Sequence, residues 1–296
     1  MKKPVMNGTQ LINTVLLTLI LLFAAACSSA KTPAQDISYE VKFLLDPEKV
    51  LDEDHLLKEE WVDTFGITED YLPIEVMYLD TPDKTFFNEG WINRLRRKSG
   101  KKKVERTYKK RYPVTGTDIA AALENAKKDG FTIPDPDDEA SDDEAVLEPE
   151  VDWGYEKMTL SFSLEDSGKM KGHESLATVT EDEAKDFLAE AMPDLERDWT
   201  ESQWGISTLE SSKAAGPVSY MRAKGTMMDR EVTVEIWPAA DKNKAEENYI
   251  VELSFKADDL SSATDDKTRF TDYFDQQGIL LHEDSLKTQQ ILDAGL

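Results

Sequence analysis

Residues 91–111 of this 296-residue chain read WINRLRRKSGKKKVERTYKKR, holding eleven Lys or Arg and one acid, Glu105. The segment carries +10 in a protein of net charge −25, so the rest of the chain carries −35. Read as two strands around Ser99-Gly100, it sorts by parity, because side chains two apart share a face. Arg94 and Arg96 point one way, with Trp91 and Leu95 opposite. On the next strand Lys103, Glu105, Thr107 and Lys109 share a face, opposed by Val104 and Tyr108. Arg97 and Lys110 fall on the outward faces, where acidic helices would neutralise them, and Lys98, Lys101 and Lys102 crowd the hairpin tip. Elsewhere Glu40 pairs with Lys42, Arg222 with Lys224, Glu231 with Thr233 and Glu235, and Glu252 with Ser254 by the same spacing. Guanidinium forks at Arg94 and Arg96 can grip phosphate oxygens in a way lysine cannot. Carboxylates set among such cations suggest a hard divalent ion held by oxygen, with the basic groups fixing phosphates around it. That chemistry requires the charged faces to converge. A charge-rich strand face that simply meets water is the other reading.

The elements that must bring them together are mostly strands. Alternating segments cover 37–45, 74–80, 90–97, 102–111, 155–164, 217–224, 231–237 and 248–257. Helices fall between them. Asp46-Pro47 begins one running towards Trp61, Thr117-Asp118 begins one stopped by Gly130, and Thr180 with Glu183 has capping-box spacing. A helix over 268–277 precedes Gly278, and a short one closes the chain. Most strands have one apolar and one polar face. A mainly β (α+β) fold follows: a barrel with helices packed on its outside and a wet interior, or a sandwich with its charged faces in solvent. Periodicity alone does not choose between them.

The chain begins with Lys2-Lys3 and an apolar run over 11–26 that leads to Cys27, the only cysteine. Residues 1–26 read as a secretory signal, and Ala24-Ala25-Ala26-Cys27 resembles a bacterial lipobox, making Cys27 the expected lipidation site. The expected organisation is a signal over 1–26, a linker over 27–36, a barrel domain over 37–257 and a helical segment packed on it over 258–296. An acidic, proline-rich stretch at about 133–152 reads as a mobile insertion. The mature chain has 270 residues and charge −27, which disfavours nucleic acid or anionic lipid as a partner; membrane contact is expected through the N-terminal lipid only. The expected location is extracytoplasmic, on the cell surface or the periplasmic face. With one cysteine there is no disulfide framework. His55, His173 and His282 follow no ligand spacing, and no Ser/His motif supports nucleophilic hydrolysis. Trp199 and Trp204 read as packing residues.

Several runs in order resemble the CYTH superfamily, the triphosphate tunnel metalloenzymes. Tyr39-Glu40-Val41-Lys42 corresponds to its Glu-x-Glu-x-Lys strand, Tyr78-Leu79-Asp80-Thr81-Pro82 to its Tyr-Asp-Thr-Pro stretch, Asn93-Arg94-Leu95-Arg96-Arg97 to its Leu-Arg-x-Arg strand, and Thr107-Tyr108-Lys109 to its Thr-x-Lys. Further on, Arg222 matches a later tunnel arginine, Glu235 the acid of the penultimate strand and Glu252 the first acid of a closing Glu-x-Glu. The resemblance implies an eight-stranded antiparallel tunnel-like barrel with helices packed on the outside, and hydrolysis of inorganic or organic triphosphates with Mg²⁺ or Mn²⁺. It implies that Arg94, Arg96, Lys109, Arg222 and Lys224 bind substrate phosphates and that Glu235 and Glu252 hold the metal. Glu40 would support the metal or position water, and Lys42 would orient the scissile phosphate. Ser38 and Ser254 stand where two family carboxylates belong, which favours anion binding over turnover. The expected function is a lipid-anchored triphosphatase acting on tripolyphosphate or nucleoside triphosphates. The alternatives are a polyphosphate-binding protein of the same fold, and a surface lipoprotein using its basic segment as an external patch.

Overall fold

Antiparallel strands with one polar face can close on themselves if that face lines the inside and helices cover the outside. The computed structural model, which describes residues 37–133, 147–239, 248–284 and 287–296, has this arrangement. Its strands are β1 (Ser38–Leu45), β2 (Leu72–Asp80), β3 (Trp91–Lys98), β4 (Val104–Val114), β5 (Glu148–Trp153), β6 (Met158–Gly168), β7 (Lys213–Met227), β8 (Arg230–Ala239), β9 (Asn248–Ala257) and β10 (Leu280–Leu281). The sheet order is β1-β5-β6-β4-β3-β2-β7-β8-β9, and β9 pairs back onto β1 to close a nine-stranded barrel. β10 adds two residues at the Leu44–Leu45 end of β1.

The ninth barrel strand is β5, and it corrects the expected insertion. Residues 148–152, read from composition as mobile, alternate as Glu148, Glu150 and Asp152 against Pro149, Val151 and Trp153, and pair with both β1 and β6. The β1–β5 pairing is parallel, so the barrel is not wholly antiparallel. Residues 134–146 of that stretch, the signal segment, Cys27 and the linker to residue 36 lie outside the described residues.

The α-helices of the described residues are α1 (Pro47–Val50), α2 (Glu59–Thr64), α3 (Thr85–Asn88), α4 (Ile119–Lys128), α5 (Glu181–Ala189), α6 (Asp194–Arg197), α7 (Trp204–Glu210), α8 (Leu260–Gln277) and α9 (Lys287–Gly295). The helix expected from Asp46 to Trp61 is two short pieces, α1 and α2. Between them the Asp52 carboxylate accepts the Asp54 and Leu56 amides, a local capture that competes with helix. Asp118 caps α4, and Thr180 with Glu183 forms the capping box of α5. α8 starts eight residues earlier than its periodicity suggests, at Leu260, capped by Asp259, whose side chain accepts the Ser262 amide. It ends at Gly278, whose φ of +66° suits glycine.

The main core lies outside the barrel wall. Tyr39, Val41, Phe43 and Leu45 are buried, and Phe43 meets Phe270 and Phe274 of α8. Trp91 meets Trp199, and Phe86 meets Trp204, placing both tryptophans in packing roles. Arg97 and Lys110 do face outward, but among the described residues neither makes an ion pair with an acidic helix. Arg97 Nη1 donates to the His173 carbonyl at 2.9 Å, while Lys110 donates to the Glu89 carbonyl and sits 4.1 Å over the Trp199 ring. Burial lowers the Lys110 ammonium from the ordinary lysine value, against the opposing pull of Asp129 and Glu89.

One helix departs from the expected outside position. Ile291 and Leu292 of α9 belong to a second apolar cluster with Ile74, Val76 and Tyr78 of β2 and Tyr220 and Trp237 of β7 and β8. Val76 lies opposite Arg96 and Tyr78 opposite Arg94 in the ladder, so this cluster is on the inner wall. Gly295 lets α9 approach closely, since a Cβ there would stand 2.7 Å from the Ala215 Cα.

On the outer side, Glu196 of α6 is fully buried and accepts the Asn93 Nδ2 at 2.6 Å. Burial pushes its carboxyl up from 4.5 to about 8, against a weaker downward pull from Asn93. The native state therefore holds this proton more tightly than the unfolded chain. The resulting stability is complete below about pH 4.5 and is lost as pH rises through about 8. Glu196→Gln keeps the contact without the ionisation. It should flatten urea-unfolding stability across that window and raise it above pH 8 by on the order of a few kcal/mol. An unchanged pH slope would discount Glu196.

Candidate functional site

The ladder registers define the inner wall residue by residue. Opposed residues of neighbouring strands point the same way, which joins Glu40 to Asp152, Lys42 to Ser254, Glu252 to Glu235, Glu235 to Arg222, Arg94 to Thr107 and Lys109 to Ser163. The charged faces thus converge, and they form three linked groups.

The first group centres on Asp152. Its Oδ1 accepts the Lys42 ammonium, and its Oδ2 lies 2.8 Å from Lys109 Nζ and 3.1 Å from Ser161 Oγ. Lys42 also pairs with Glu40 at 2.8 Å, and Glu150 with Lys256 at 2.5 Å. Burial alone would raise the Asp152 carboxyl, but Lys109, Lys42 and Arg111 outweigh it and hold it well below its ordinary value. Burial would likewise lower Lys42, yet Asp152, Glu40 and Glu252 keep its ammonium raised well above an ordinary lysine. Lys109 goes the other way: burial, with repulsion from Lys42 and Arg111, exceeds the pull of Asp152. One oxygen each from Glu40, Glu150 and Asp152 lie within 4.8 Å of one another, a donor set whose hardness suits Mg²⁺ or Mn²⁺.

The second group is Arg222, Glu235, Glu252 and Lys287. Arg222 Nη2 stands 2.7 Å from Glu235, and Lys287 Nζ stands 2.9 Å from Glu235 and 2.8 Å from Glu252. Burial would raise Glu235, but Lys287 and Arg222 pull it below the usual carboxylate range. The third group joins Arg94 and Arg96, both on Glu165, with Arg96 and Lys98 sharing Glu105 at 2.8 and 2.6 Å. Lys224 is exposed and pairs with Glu231 at 2.9 Å, apart from the three groups.

A cleft of about 250 Å³ opens beside α9 and is lined by Lys42, Arg111, Asp152, Glu252 and Lys287, among others. Arg111 shares the inward parity of Thr107 and Lys109 and, among the described residues, makes no ion pair within 4.0 Å, unlike the other cations of the three groups.

The predicted residues therefore divide. Glu40, Lys42 and Lys109 meet around Asp152; Arg94 and Arg96 share Glu165; Arg222, Glu235 and Glu252 meet around Lys287. Sequence reasoning missed Asp152, Glu150, Glu165, Arg111 and Lys287. Glu148-x-Glu150-x-Asp152 does carry a strand period, and Arg111 follows Lys109 at spacing two. Lys287 has no local signal, because it reaches the site from a helix distant in sequence.

No protein-family model matches this chain, and no curated protein matches its sequence. Its fold is similar to that of a Hippeastrum protein described as a candidate adenylyl cyclase with a dominant triphosphatase activity. The TM-score is 0.50 at 11% identity, covering 87% of this chain and 96% of that one. A Bacillus halodurans protein described as a candidate adenylate cyclase is similar at TM-score 0.44 and 14% identity, over 81% and 90% of the two chains. The fold assignment rests on the first. At this identity the likeness is one of fold alone, a closed, mainly β barrel of nine strands with helices on its outside.

Proposed function

We propose that this protein is a lipid-anchored, extracytoplasmic hydrolase of tripolyphosphate or nucleoside triphosphates that depends on Mg²⁺ or Mn²⁺. The observation that carries this reading is the enclosure of cations from β1, β3, β4 and β7 with the Glu40, Glu150 and Asp152 carboxylates on one inner wall. The triphosphatase activity of the Hippeastrum protein supports it on fold alone. Phosphoryl transfer asks a protein mainly for positioning and charge neutralisation. Arg94, Arg96, Lys109, Arg111 and Arg222 are the groups that would hold phosphate oxygens, and Lys42 would orient the scissile group. The carboxylate trio would hold the divalent ion, which when bound draws charge from phosphate oxygens. Glu40 would also help position water. Lys224 would act only at the rim. Membrane contact would come through a lipid on Cys27, on the cell surface or the periplasmic face.

The test is phosphate release from tripolyphosphate and ATP with Mg²⁺ or Mn²⁺. Arg96→Ala should lower kcat/KM roughly 10- to 100-fold, as expected for losing charged hydrogen bonds to an anion. Retention of the protein in the membrane fraction should be lost in Cys27→Ala. The second reading, polyphosphate binding without hydrolysis, draws on Ser38 and Ser254 and on lysines already neutralising the carboxylates. Tight tripolyphosphate binding without metal-dependent release would select it.

A further inference from the structure

Glu235 and Glu252 face each other across the β8–β9 ladder, both turned inward. Two buried carboxylates at neighbouring positions repel unless a cation lies between them. Oxygen donors placed so can take a hard divalent ion; here a side chain has the position. Lys287 Nζ reaches both carboxylates, at 2.9 and 2.8 Å, and lies 4.8 Å from the centre of the Trp237 ring. Arg222 takes the other oxygen of Glu235. Two carboxylates and two fixed cations leave this group neutral, so a divalent ion added to it would create an excess of positive charge.

The ammonium is also held in place mechanically. Lys287 opens α9, and one turn later Ile291 and Leu292 are buried in the inner apolar cluster. Withdrawing the lysine by moving the helix would expose that cluster. One acceptor remains: Glu252 Oε2 is buried without a hydrogen-bond partner among the described residues. The pair therefore keeps the oxygen donors a metal would need, and what excludes one is the resident ammonium.

We infer that Lys287 is a built-in cation standing in the place of a divalent ion between Glu235 and Glu252. This pair then takes no metal in the native protein, and that role of Lys287 stands apart from the metal-dependent reading above.

Counting bound Mn²⁺ on the full-length protein by electron paramagnetic resonance tests the assignment without any activity measurement. Glu252→Gln should change the affinity and number of Mn²⁺ ions bound to the native protein less than twofold. Lys287→Met, which keeps the length of the chain and removes the charge, should bind one Mn²⁺ more. Adding Glu252→Gln to Lys287→Met should abolish that extra ion. Loss of a bound ion in the Glu252→Gln single variant overturns the inference, and so does a folded Lys287→Met with no added ion. If Lys287→Met is unfolded without metal, recovery of its circular dichroism on adding Mn²⁺ supports the role, and failure to recover overturns it. A native protein that releases no phosphate would defeat the triphosphatase reading while leaving these counts intact.

Discussion

Asp152→Ala should destabilise the protein by about 3–5 kcal/mol in urea unfolding at neutral pH, the range for removing one partner of a buried ion pair. It should also reduce metal-dependent phosphate release roughly 100-fold or more, as losing a preorganised charged group does. Both effects share one cause. Asp152 is the anion between Lys42 and Lys109, with Ser161 on its second oxygen. Without it, two ammonium groups on the inner wall face each other and Arg111 with no carboxylate between them; Glu40, Glu150 and Glu252 are left around them. The pH dependence has a definite sign. Because Asp152 is held well below 3.8 by Lys109, Lys42 and Arg111, its contribution is present above that value and is lost as pH falls through its depressed folded value. The alanine variant should lose that segment of acid sensitivity. Asp152→Asn keeps the hydrogen-bonding shape without the charge and should fall between. Unfolding at the wild-type urea midpoint in Asp152→Ala would remove this cluster from the account of both stability and activity.

Leu292→Ala should cost roughly 2–4 kcal/mol, the range for truncating a buried leucine. Leu292 is 2% exposed and packs with Ile291 against the inner apolar wall. The deletion would open a cavity between α9 and the strands, lined by large side chains that cannot collapse without distorting the barrel. The Lys287 ammonium would lose its mechanical support at the same time. Leu292→Asp should unseat the helix altogether and expose Tyr220 and Trp237, which stack with centroids 3.7 Å apart. A red shift of tryptophan fluorescence would report it. If Leu292→Ala unfolds with the wild-type midpoint, α9 is a detachable segment and not part of the core.

Much of the fold was legible because the barrel strands obey the simplest rule available. In β1, Tyr39, Val41 and Phe43 alternate with Glu40 and Lys42, and a two-residue period admits only two faces. The same rule placed Arg94, Arg96 and Lys109 on one side, and the ladder puts them there. β5 was lost because its acids look like those of the neighbouring stretch, so composition overrode a period of only six residues. α9 was misplaced for a different reason. Ile74, Val76 and Tyr78 give β2 an apolar inner face, while Met77 and Leu79 give it an apolar outer one. Such a strand does not declare which side a helix will cover.

What the sequence determined by itself was the parity of each strand, and so the group of side chains that had to point together. It also determined the caps of α4 and α5, because their partners are three residues away. Only the tertiary structure decided which side of the sheet was the inside, since that depends on closure between β1 and β9, more than 200 residues apart. It also decided that Asp152 would join Lys42 to Lys109, and that Lys287 would lie between Glu235 and Glu252. Electrostatic partners in a closed barrel are set by distance through space, and no local pattern in the chain encodes that distance.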